Sequence, residues 1–232
     1  MPESPTIRSR LAEVRARIAR AASRADRDPG SVRLVAVSKT FPVDAIREAV
    51  DAGQIDFGEN RVQEALQKMD QTAGLPIRWH LVGHLQSNKA KKAGSHFDVV
   101  QSVDSPDLMP LLDDGARIAG RQVQALVQVD LAGEVTKFGA REGELPEIFA
   151  EAARGKAARI AGLMTIPPAA ADPEEARPYF RALREVRDRL VAGGVDPSIL
   201  ADLSMGMSHD FEIAIEEGAT IVRVGSAIFG AR

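Results

Sequence analysis

Lys39 is the residue of this chain best suited to covalent chemistry. It follows the apolar run Leu34–Val37, whose β-branched residues predict a buried strand of a parallel sheet. Ligands of such sheets bind at the carboxyl ends of the strands, where Lys39 stands. An amine that is partly desolvated there can lose its proton and attack an aldehyde, forming a Schiff base. The alternative is a lysine that ends a strand and extends its amine into water.

Two segments rich in glycine and serine could hold a phosphate group. The first runs from Ser204 to Ser208, and the second is the pair Gly225 and Ser226. Glycine permits close approach of a backbone, while hydroxyl and backbone N–H groups donate hydrogen bonds to phosphate oxygens. Ordinary turns use the same residue types, so the placement of both segments in the fold must decide.

Arg223 lies inside a predicted strand, Ile221–Val224, in which side chains alternate between two faces. Either Arg223 or its neighbours Val222 and Val224 therefore point into the interior. An outward arginine would pair with a carboxylate on a helix. An inward arginine would need a buried partner and could donate to a ring nitrogen of a ligand.

Apolar strand-like runs alternate with helix-like segments along the whole chain. The predicted strands are Leu34–Val37, Ile55–Phe57, Trp79–Val82, Val99–Val100, Ala125–Val129, Ile160–Met164, Leu200–Leu203 and Ile221–Val224. The predicted helices include Ile7–Arg27, Val43–Ala52, Arg61–Asp70, Ser105–Ala119, Glu144–Arg154, Pro173–Ala192 and Asp210–Glu217.

Eight such units predict an α/β fold, a single (β/α)8 TIM-type barrel with an extra N-terminal helix. We expect one domain over residues 1–232, with the helix at about 6–27 and the barrel at 33–232. A doubly wound open sheet is the structural alternative. In the barrel, functional groups gather on the loops that follow the strands, and phosphate commonly binds after strands seven and eight. Both glycine and serine segments have that placement.

Composition limits the class of protein. The chain has 232 residues, 44% hydrophobic and 27% charged, with a net charge of -3 and no cysteines. These values favour one large core and exclude disulfide or thiolate chemistry. They give no bias toward nucleic acid, and no apolar stretch approaches the roughly 20 residues that span a bilayer. The N-terminus lacks an apolar signal core, so we expect a soluble cytoplasmic protein without a membrane or nucleic-acid partner.

Six blocks in one order resemble the pyridoxal phosphate homeostasis protein family. They are Val35–Lys39 (VAVSK), Phe57–Asn60 (FGEN), Trp79–Lys89 (WHLVGHLQSNK), Gly162–Ile166 (GLMTI), Leu203–Ser208 (LSMGMS) and Val222–Gly230 (VRVGSAIFG). The resemblance covers nearly the whole chain. That family is similar to the N-terminal barrel of alanine racemase and binds pyridoxal 5'-phosphate (PLP) as an internal aldimine, and the resemblance favours a monomer.

The resemblance implies a role for individual residues. Lys39 would carry the aldimine, and Asn60 would line the cofactor pocket. The phosphate would lie between two groups, Ser204 with the backbone of Met205 on one side and Gly225 with Ser226 on the other. Arg223 matches the arginine that faces the pyridine nitrogen in the related racemases.

One position departs from the family pattern. The family often shows asparagine ahead of a Glu-x-x-Lys-x-Gly segment, whereas this chain has Asp130 ahead of Glu134–Gly139. The resemblance therefore assigns no role to Asp130.

No metal site is expected. His80 and His84 are four residues apart, but that spacing brings two ligands together only on a helix, and these residues flank a strand end and a loop. We expect His80 to form a wall of the pocket instead.

The expected function is therefore PLP binding as a Schiff base on Lys39, for intracellular vitamin B6 homeostasis and cofactor delivery without strong catalysis. PLP-dependent apoenzymes and free amino acids are the expected partners. A low-activity PLP-dependent amino-acid racemase is the enzymatic alternative, although its usual second acid or base comes from a domain after the barrel and the only tyrosine here is Tyr179. The third hypothesis is a phosphate-binding barrel enzyme that forms an imine with its substrate, as aldolases do.

Overall fold

The computed structural model describes residues 5–133 and 138–230, and these form a closed barrel of eight parallel strands. The strands are β1 Arg33–Val37, β2 Asp56–Glu59, β3 Arg78–Leu81, β4 Val99–Val103, β5 Val123–Gln128, β6 Ala158–Met164, β7 Asp202–Ser204 and β8 Ile221–Val224. Each strand pairs with the next one in the chain, and β8 pairs with β1 to close the barrel. The predicted (β/α)8 barrel is thereby confirmed. Its treatment as a single domain stays a prediction.

Helices fill the crossovers between the strands. They are α1 Ile7–Arg24, α2 Val43–Asp51, α3 Val62–Gln71, α4 Ser87–His96, α5 Leu108–Ile118, α6 Leu145–Arg154, α7 Arg177–Ala192, α8 Phe211–Glu216 and α9 Ser226–Phe229. In the described part of the chain, no helix combines the length and the apolar composition that crossing a bilayer requires. Part of the segment Glu134–Gly139, on which the family pattern near Asp130 was compared, lies outside the described residues.

The extra N-terminal helix α1 is present and ends earlier than predicted. It begins after Thr6, whose Oγ1 accepts a hydrogen bond from the Ser9 N–H at 3.2 Å. Its buried residues recur at helical spacing and pack on the outside of the barrel. The helix stops at Arg24 rather than Arg27 because Asp26 adopts a positive φ of 52°, which closes the last turn.

The barrel interior is built by alternate residues of the strands. Val35, Val99, Leu126, Met164 and Ile221 form a small apolar cluster that is separate from the main core between the strands and the helices. Arg223 lies two residues after Ile221 on the same face of β8, and there the barrel interior becomes polar. This change places polar groups at the carboxyl ends of the strands, where the loops surround a cavity.

Candidate binding site at the carboxyl ends of the strands

A cavity of about 480 Å³ opens at the carboxyl end of the barrel. Five of the seven predicted site residues line it: Lys39, Asn60, Arg223, Gly225 and Ser226. Its other lining residues are Val37, Phe41, Val82, Ile166, Met207, Ser208, His209 and Gly230. The walls thus combine an amine, a guanidinium and hydroxyl groups with apolar surfaces, the composition of a site for a small organic anion.

Lys39 lies in a turn that the neighbouring residues hold on both sides. Ser38 is fully buried, and its Oγ donates to Glu59 Oε1 at 2.7 Å. Thr40 has a positive φ of 66°, an uncommon conformation for a β-branched residue, and its N–H donates to Glu64 Oε1 at 2.7 Å. The reversal at Thr40 keeps Lys39 on the wall of the cavity rather than extending the strand.

A buried ion cluster supports this turn from below. Lys68 Nζ donates to Glu59 Oε1 at 2.7 Å, to Glu64 Oε1 at 2.9 Å and to the Ser38 carbonyl oxygen at 2.8 Å. Burial raises the pKa of Glu59, although hydrogen bonds from Lys68 and Ser38 oppose that shift. For Glu64, burial is outweighed by the Lys68 and Thr40 donors, which lower its pKa.

Arg223 points into the barrel. Of the two orientations that side-chain alternation allows for β8, the inward arginine is therefore the observed one. Val222 and Val224 pack in the main core between the barrel and the helices. The Arg223 guanidinium donates from Nη1 to Ser204 Oγ at 2.6 Å and from Nη2 to the Thr165 carbonyl oxygen at 2.9 Å. A guanidinium has five N–H donors, so these two bonds leave others for a ligand.

Burial is the main influence on the pKa of Arg223. It lowers the pKa of Arg223 to about 10, and the charge of Asp210 partly offsets this effect. The guanidinium is therefore still cationic at neutral pH. It donates hydrogen bonds and cannot accept one, so only an acceptor atom of a ligand can approach it.

Backbone N–H groups after β8 converge on one oxygen atom. The N–H groups of Gly225 and Ala227 donate to Ser208 Oγ at 3.1 Å and 3.4 Å. Gly225 passes close to β1, since a Cβ atom there would lie 3.2 Å from the Val37 carbonyl oxygen. A serine hydroxyl that accepts two bonds still has its own hydrogen to donate, and the exposed Ser226 lines the same cavity. This arrangement suits the oxygens of a phosphate group.

The structure places three other predicted residues away from the cavity wall. Ser204 is fully buried and binds Arg223, and the Met205 N–H donates to the Ile221 carbonyl oxygen at 3.1 Å. Their predicted phosphate contact stays a prediction, and these groups are already engaged within the barrel. His80 was expected to be a wall of the pocket; it is fully buried inside the barrel and does not line the cavity.

The sequence profile described as "Alanine racemase, N-terminal domain" matches residues 9–232. A curated relative from Aquifex aeolicus, named pyridoxal phosphate homeostasis protein, is 42% identical over 228 residues, which is 96% of this chain and 97% of the relative. The chain belongs to the pyridoxal phosphate homeostasis protein family.

Solved structures agree with this family membership. PipY from Synechococcus elongatus is 41% identical and superposes with TM-scores of 0.85 without PLP and 0.84 with PLP bound, covering 97% of this chain and 100% of PipY. An alanine racemase from Clostridium difficile shares the fold at 16% identity with a TM-score of 0.71, and the match covers 98% of this chain and 57% of the racemase.

The sequence reasoning did not single out Ser208 as a binding residue. Ser208 stands in the glycine and serine segment that could hold phosphate, but the family resemblance implies phosphate contacts only for Ser204 and Met205 of that segment. The signal that separates them is strand length: β7 extends to Ser204, so the loop proper starts after it, and Gly206 turns the chain with a φ of 90°. Ser208, beyond that turn, reaches the cavity.

His80 is expected to make the protein less stable below about pH 6.5. Burial lowers the pKa of His80 from its ordinary value of 6.5, while the hydrogen bond to Asp56 opposes the shift and the charges of Arg78 and Arg33 reinforce it. The unfolded chain therefore binds a proton at a pH where the folded ring stays neutral. The free energy of unfolding then falls as pH drops from 6.5 toward the folded pKa, by at most about 1.4 kcal/mol per pH unit.

Urea unfolding of the wild type and His80→Gln at pH 7.5, 6.5 and 5.5 measures this effect. Glutamine can donate to Asp56 and accept from Gln101 without titrating. We expect a smaller loss of stability on acidification in His80→Gln than in the wild type. The exposed-site control His96→Gln is expected to behave as the wild type, and equal acid losses in wild type and His80→Gln would contradict the assignment.

Proposed function

We propose that this protein binds PLP in the 480 Å³ cavity and holds the aldehyde as a Schiff base on Lys39. The observation that carries the proposal is that one cavity contains a donor for each end of the ligand. Lys39 offers an amine for the aldehyde, Arg223 offers N–H groups for the pyridine nitrogen, and the Ser208 and Gly225 region offers donors for the phosphate. The PLP-bound structure of PipY supports it.

The chemistry of Lys39 is reversible in both steps. Its neutral Nζ adds to the aldehyde carbon, and the carbonyl oxygen leaves as water. An incoming primary amine can add to the resulting C=N bond and displace Lys39, which returns as a free amine. Free amino acids and lysines of PLP-dependent apoenzymes supply such amines. The protein would thus keep a reactive aldehyde away from other amines and release it by exchange, as a homeostasis factor does.

Arg223 argues against transamination of an amino acid on the bound ligand, although the related racemases work with a matching arginine. Because the guanidinium is already protonated, it donates a hydrogen bond to the ring nitrogen and is not expected to protonate it. An unprotonated pyridine withdraws electrons weakly, and loss of a substrate α-proton then becomes less favourable. Tyr179 lies on α7 and does not line the cavity, so it is not available there as a second acid or base.

The low-activity racemase is the second candidate function, favoured by the family profile and by His209 on the cavity wall. The two functions differ in one measurable event, exchange of the α-proton of an amino acid with solvent. Incubation of the PLP-loaded protein with L-alanine in D₂O, followed by NMR, measures that exchange. No exchange beyond that of free PLP is the expected result, and enzyme-dependent exchange would favour the racemase.

The test of the proposed function is the absorption spectrum of the protein with added PLP, before and after borohydride. We expect an imine band that borohydride removes, and mass mapping is expected to find the reduced adduct on Lys39. An adduct spread over surface lysines, or no band, would contradict the proposal and leave a phosphate-binding barrel with another substrate.

The phosphate group is expected to contribute much of the affinity. Hydrogen bonds to a charged group stabilise a complex by about 1.5–3 kcal/mol each, so loss of the phosphate contacts corresponds to roughly a tenfold to hundredfold change. Pyridoxal, which has the same aldehyde and ring, is therefore expected to need at least about ten times the concentration of PLP for half-maximal imine absorbance. Equal half-maximal concentrations would show that Gly225 and its neighbours do not bind the phosphate.

A further inference from the structure

Five polar side chains from five strands form one continuous chain of hydrogen bonds through the barrel interior. Asp56 Oδ1 lies 2.8 Å from His80 Nε2, and His80 Nδ1 lies 2.9 Å from Gln101 Nε2. Gln101 Oε1 accepts from Ser204 Oγ at 2.7 Å, and Ser204 Oγ accepts from Arg223 Nη1 at 2.6 Å. The chain thus joins β2, near the amino end of the barrel, to the cavity wall at β8.

The guanidinium at one end and the carboxylate at the other fix the direction of every hydrogen bond between them. A guanidinium can only donate, and a carboxylate can only accept. Arg223 therefore donates to Ser204, whose hydroxyl hydrogen then points to Gln101. The amide nitrogen of Gln101 donates to His80 Nδ1, and His80 donates from Nε2 to Asp56. All four hydrogen bonds run the same way, from the cation to the anion.

The direction agrees with a neutral His80. A second hydrogen on Nδ1 would face the amide nitrogen of Gln101 and force the amide to reverse. Ser204 would then receive donors from both Gln101 and Arg223, and its own hydrogen would lose its acceptor. In a fully buried group of side chains that loss is costly, so the arrangement has one satisfied state.

This chain of hydrogen bonds can transmit orientation, but it cannot carry a proton. A proton moving along it would have to convert the Gln101 amide into its imidic acid form, which is strongly unfavourable. Arg223 therefore receives no proton through the barrel. The hydrogen-bond chain gives Arg223 a fixed position, while the charge that partly offsets its burial comes from Asp210.

We propose that Gln101, His80 and Ser204 are positioning residues that hold the Arg223 guanidinium toward the pyridine nitrogen of the ligand, with Asp56 as the last acceptor of the hydrogen-bond chain. This inference rests on the proposed PLP binding. It adds that affinity for the ring depends on residues inside the barrel that do not line the cavity. Loss of any one of the four hydrogen bonds is expected to free the guanidinium from its position.

The test uses three single variants and one double variant, each titrated with PLP. Gln101→Leu keeps the approximate volume and removes both bonds of the amide, and Ser204→Ala removes the bond from Arg223 together with the bond to Gln101. We expect each to weaken PLP binding about tenfold, the effect of one hydrogen bond to a charged group. Because both act through Arg223, the double variant is expected to bind no more weakly than either single variant.

Gln101→Glu separates positioning from simple packing. A carboxylate at 101 still accepts from Ser204, so the bond to Arg223 is retained, and PLP affinity is expected to stay within about threefold of the wild type. Its other oxygen needs a donor, so His80 is expected to carry hydrogens on both nitrogens at neutral pH. ¹⁵N NMR of the histidine rings in the ligand-free protein measures the protonation of both His80 nitrogens. In the wild type we expect a hydrogen on Nε2 alone.

Different results would contradict the positioning role and the proposed PLP binding. Wild-type affinity in Gln101→Leu, additive losses in the double variant, or an equal loss in Gln101→Glu and Gln101→Leu would overturn the positioning role. If Gln101→Glu does not fold, the PLP affinities of Gln101→Leu, Ser204→Ala and their double variant still test the positioning role. Failure of the proposed function has a different signature, the absence of a Lys39 adduct in the wild type, and the histidine NMR still tests the direction of the chain.

Discussion

Replacement of Lys39 by alanine is expected to abolish the borohydride-stable adduct with PLP while leaving the fold intact. Lys39 is the amine on the cavity wall, and alanine has no nitrogen that could condense with an aldehyde. The side chain is half-buried at a loop boundary and contributes no core volume. We therefore expect the free energy of unfolding to change by less than about 1 kcal/mol.

Mass spectrometry after borohydride reduction measures the adduct, and urea unfolding measures the stability. Two controls bracket the result. Lys39→Arg keeps the positive charge but is expected to lose the adduct, whereas Lys92→Ala, at an exposed lysine of α4, is expected to retain it. A Lys39→Ala protein that still traps PLP at one site, or one that fails to fold, would contradict the prediction.

The barrel could be predicted because its strands are dense in β-branched residues and lie between turn-forming segments. The strand Ile221–Val224 has the predicted bounds, and the other strands differ by a few residues at their ends. No bounds were predicted for helix α4, because its buried residues are Ala90, Ala93 and Gly94, which produce no pattern of large apolar side chains. Its small residues let α5 approach closely instead: a Cβ atom on Gly94 would overlap the Leu112 carbonyl oxygen.

The site could be predicted in part, and the rest depends on three-dimensional contacts. Gly225 follows β8 directly and Lys39 follows β1 after one residue, so their position follows from the barrel alone. Alternation relates Arg223 to its neighbours but does not say which face is the interior. Ser204 was expected in a loop because the predicted strand ended at Leu203, and one additional strand residue turns it into the barrel. Gln101 gave no local signal, because its partners lie on other strands.

The ion cluster below Lys39 leads to the prediction with the largest expected effect on stability. Lys68 is almost completely buried, and Glu59 is fully buried. Among the described residues, Oε2 of Glu59 has no hydrogen-bond partner, so its charge depends on the bonds to Oε1. Removal of one member of a buried ion pair leaves an uncompensated charge and typically costs about 3–5 kcal/mol.

Lys68→Met is therefore expected to lower the free energy of unfolding by about 3–5 kcal/mol at neutral pH, measured by urea unfolding. Methionine replaces the apolar stem of lysine, so the loss reports the missing charge rather than missing volume. The double variant Glu59→Gln with Lys68→Met is the matched control and is expected to recover more than half of the loss, because glutamine at 59 is neutral and still accepts from Ser38. A loss below about 1 kcal/mol would show that water or protonation of Glu59 already compensates the carboxylate.

The same variant links stability to the chemistry of Lys39. Burial already raises the pKa of Glu59, and without Lys68 the carboxyl is expected to take up a proton more readily still. The deficit of Lys68→Met should then shrink as pH falls, since protonation removes the buried charge. The Ser38 carbonyl also loses its donor, so one of the anchors of the Lys39 turn is lost. We therefore expect slower trapping of PLP on Lys39 even where the variant is folded, and unchanged trapping would confine Lys68 to a role in stability.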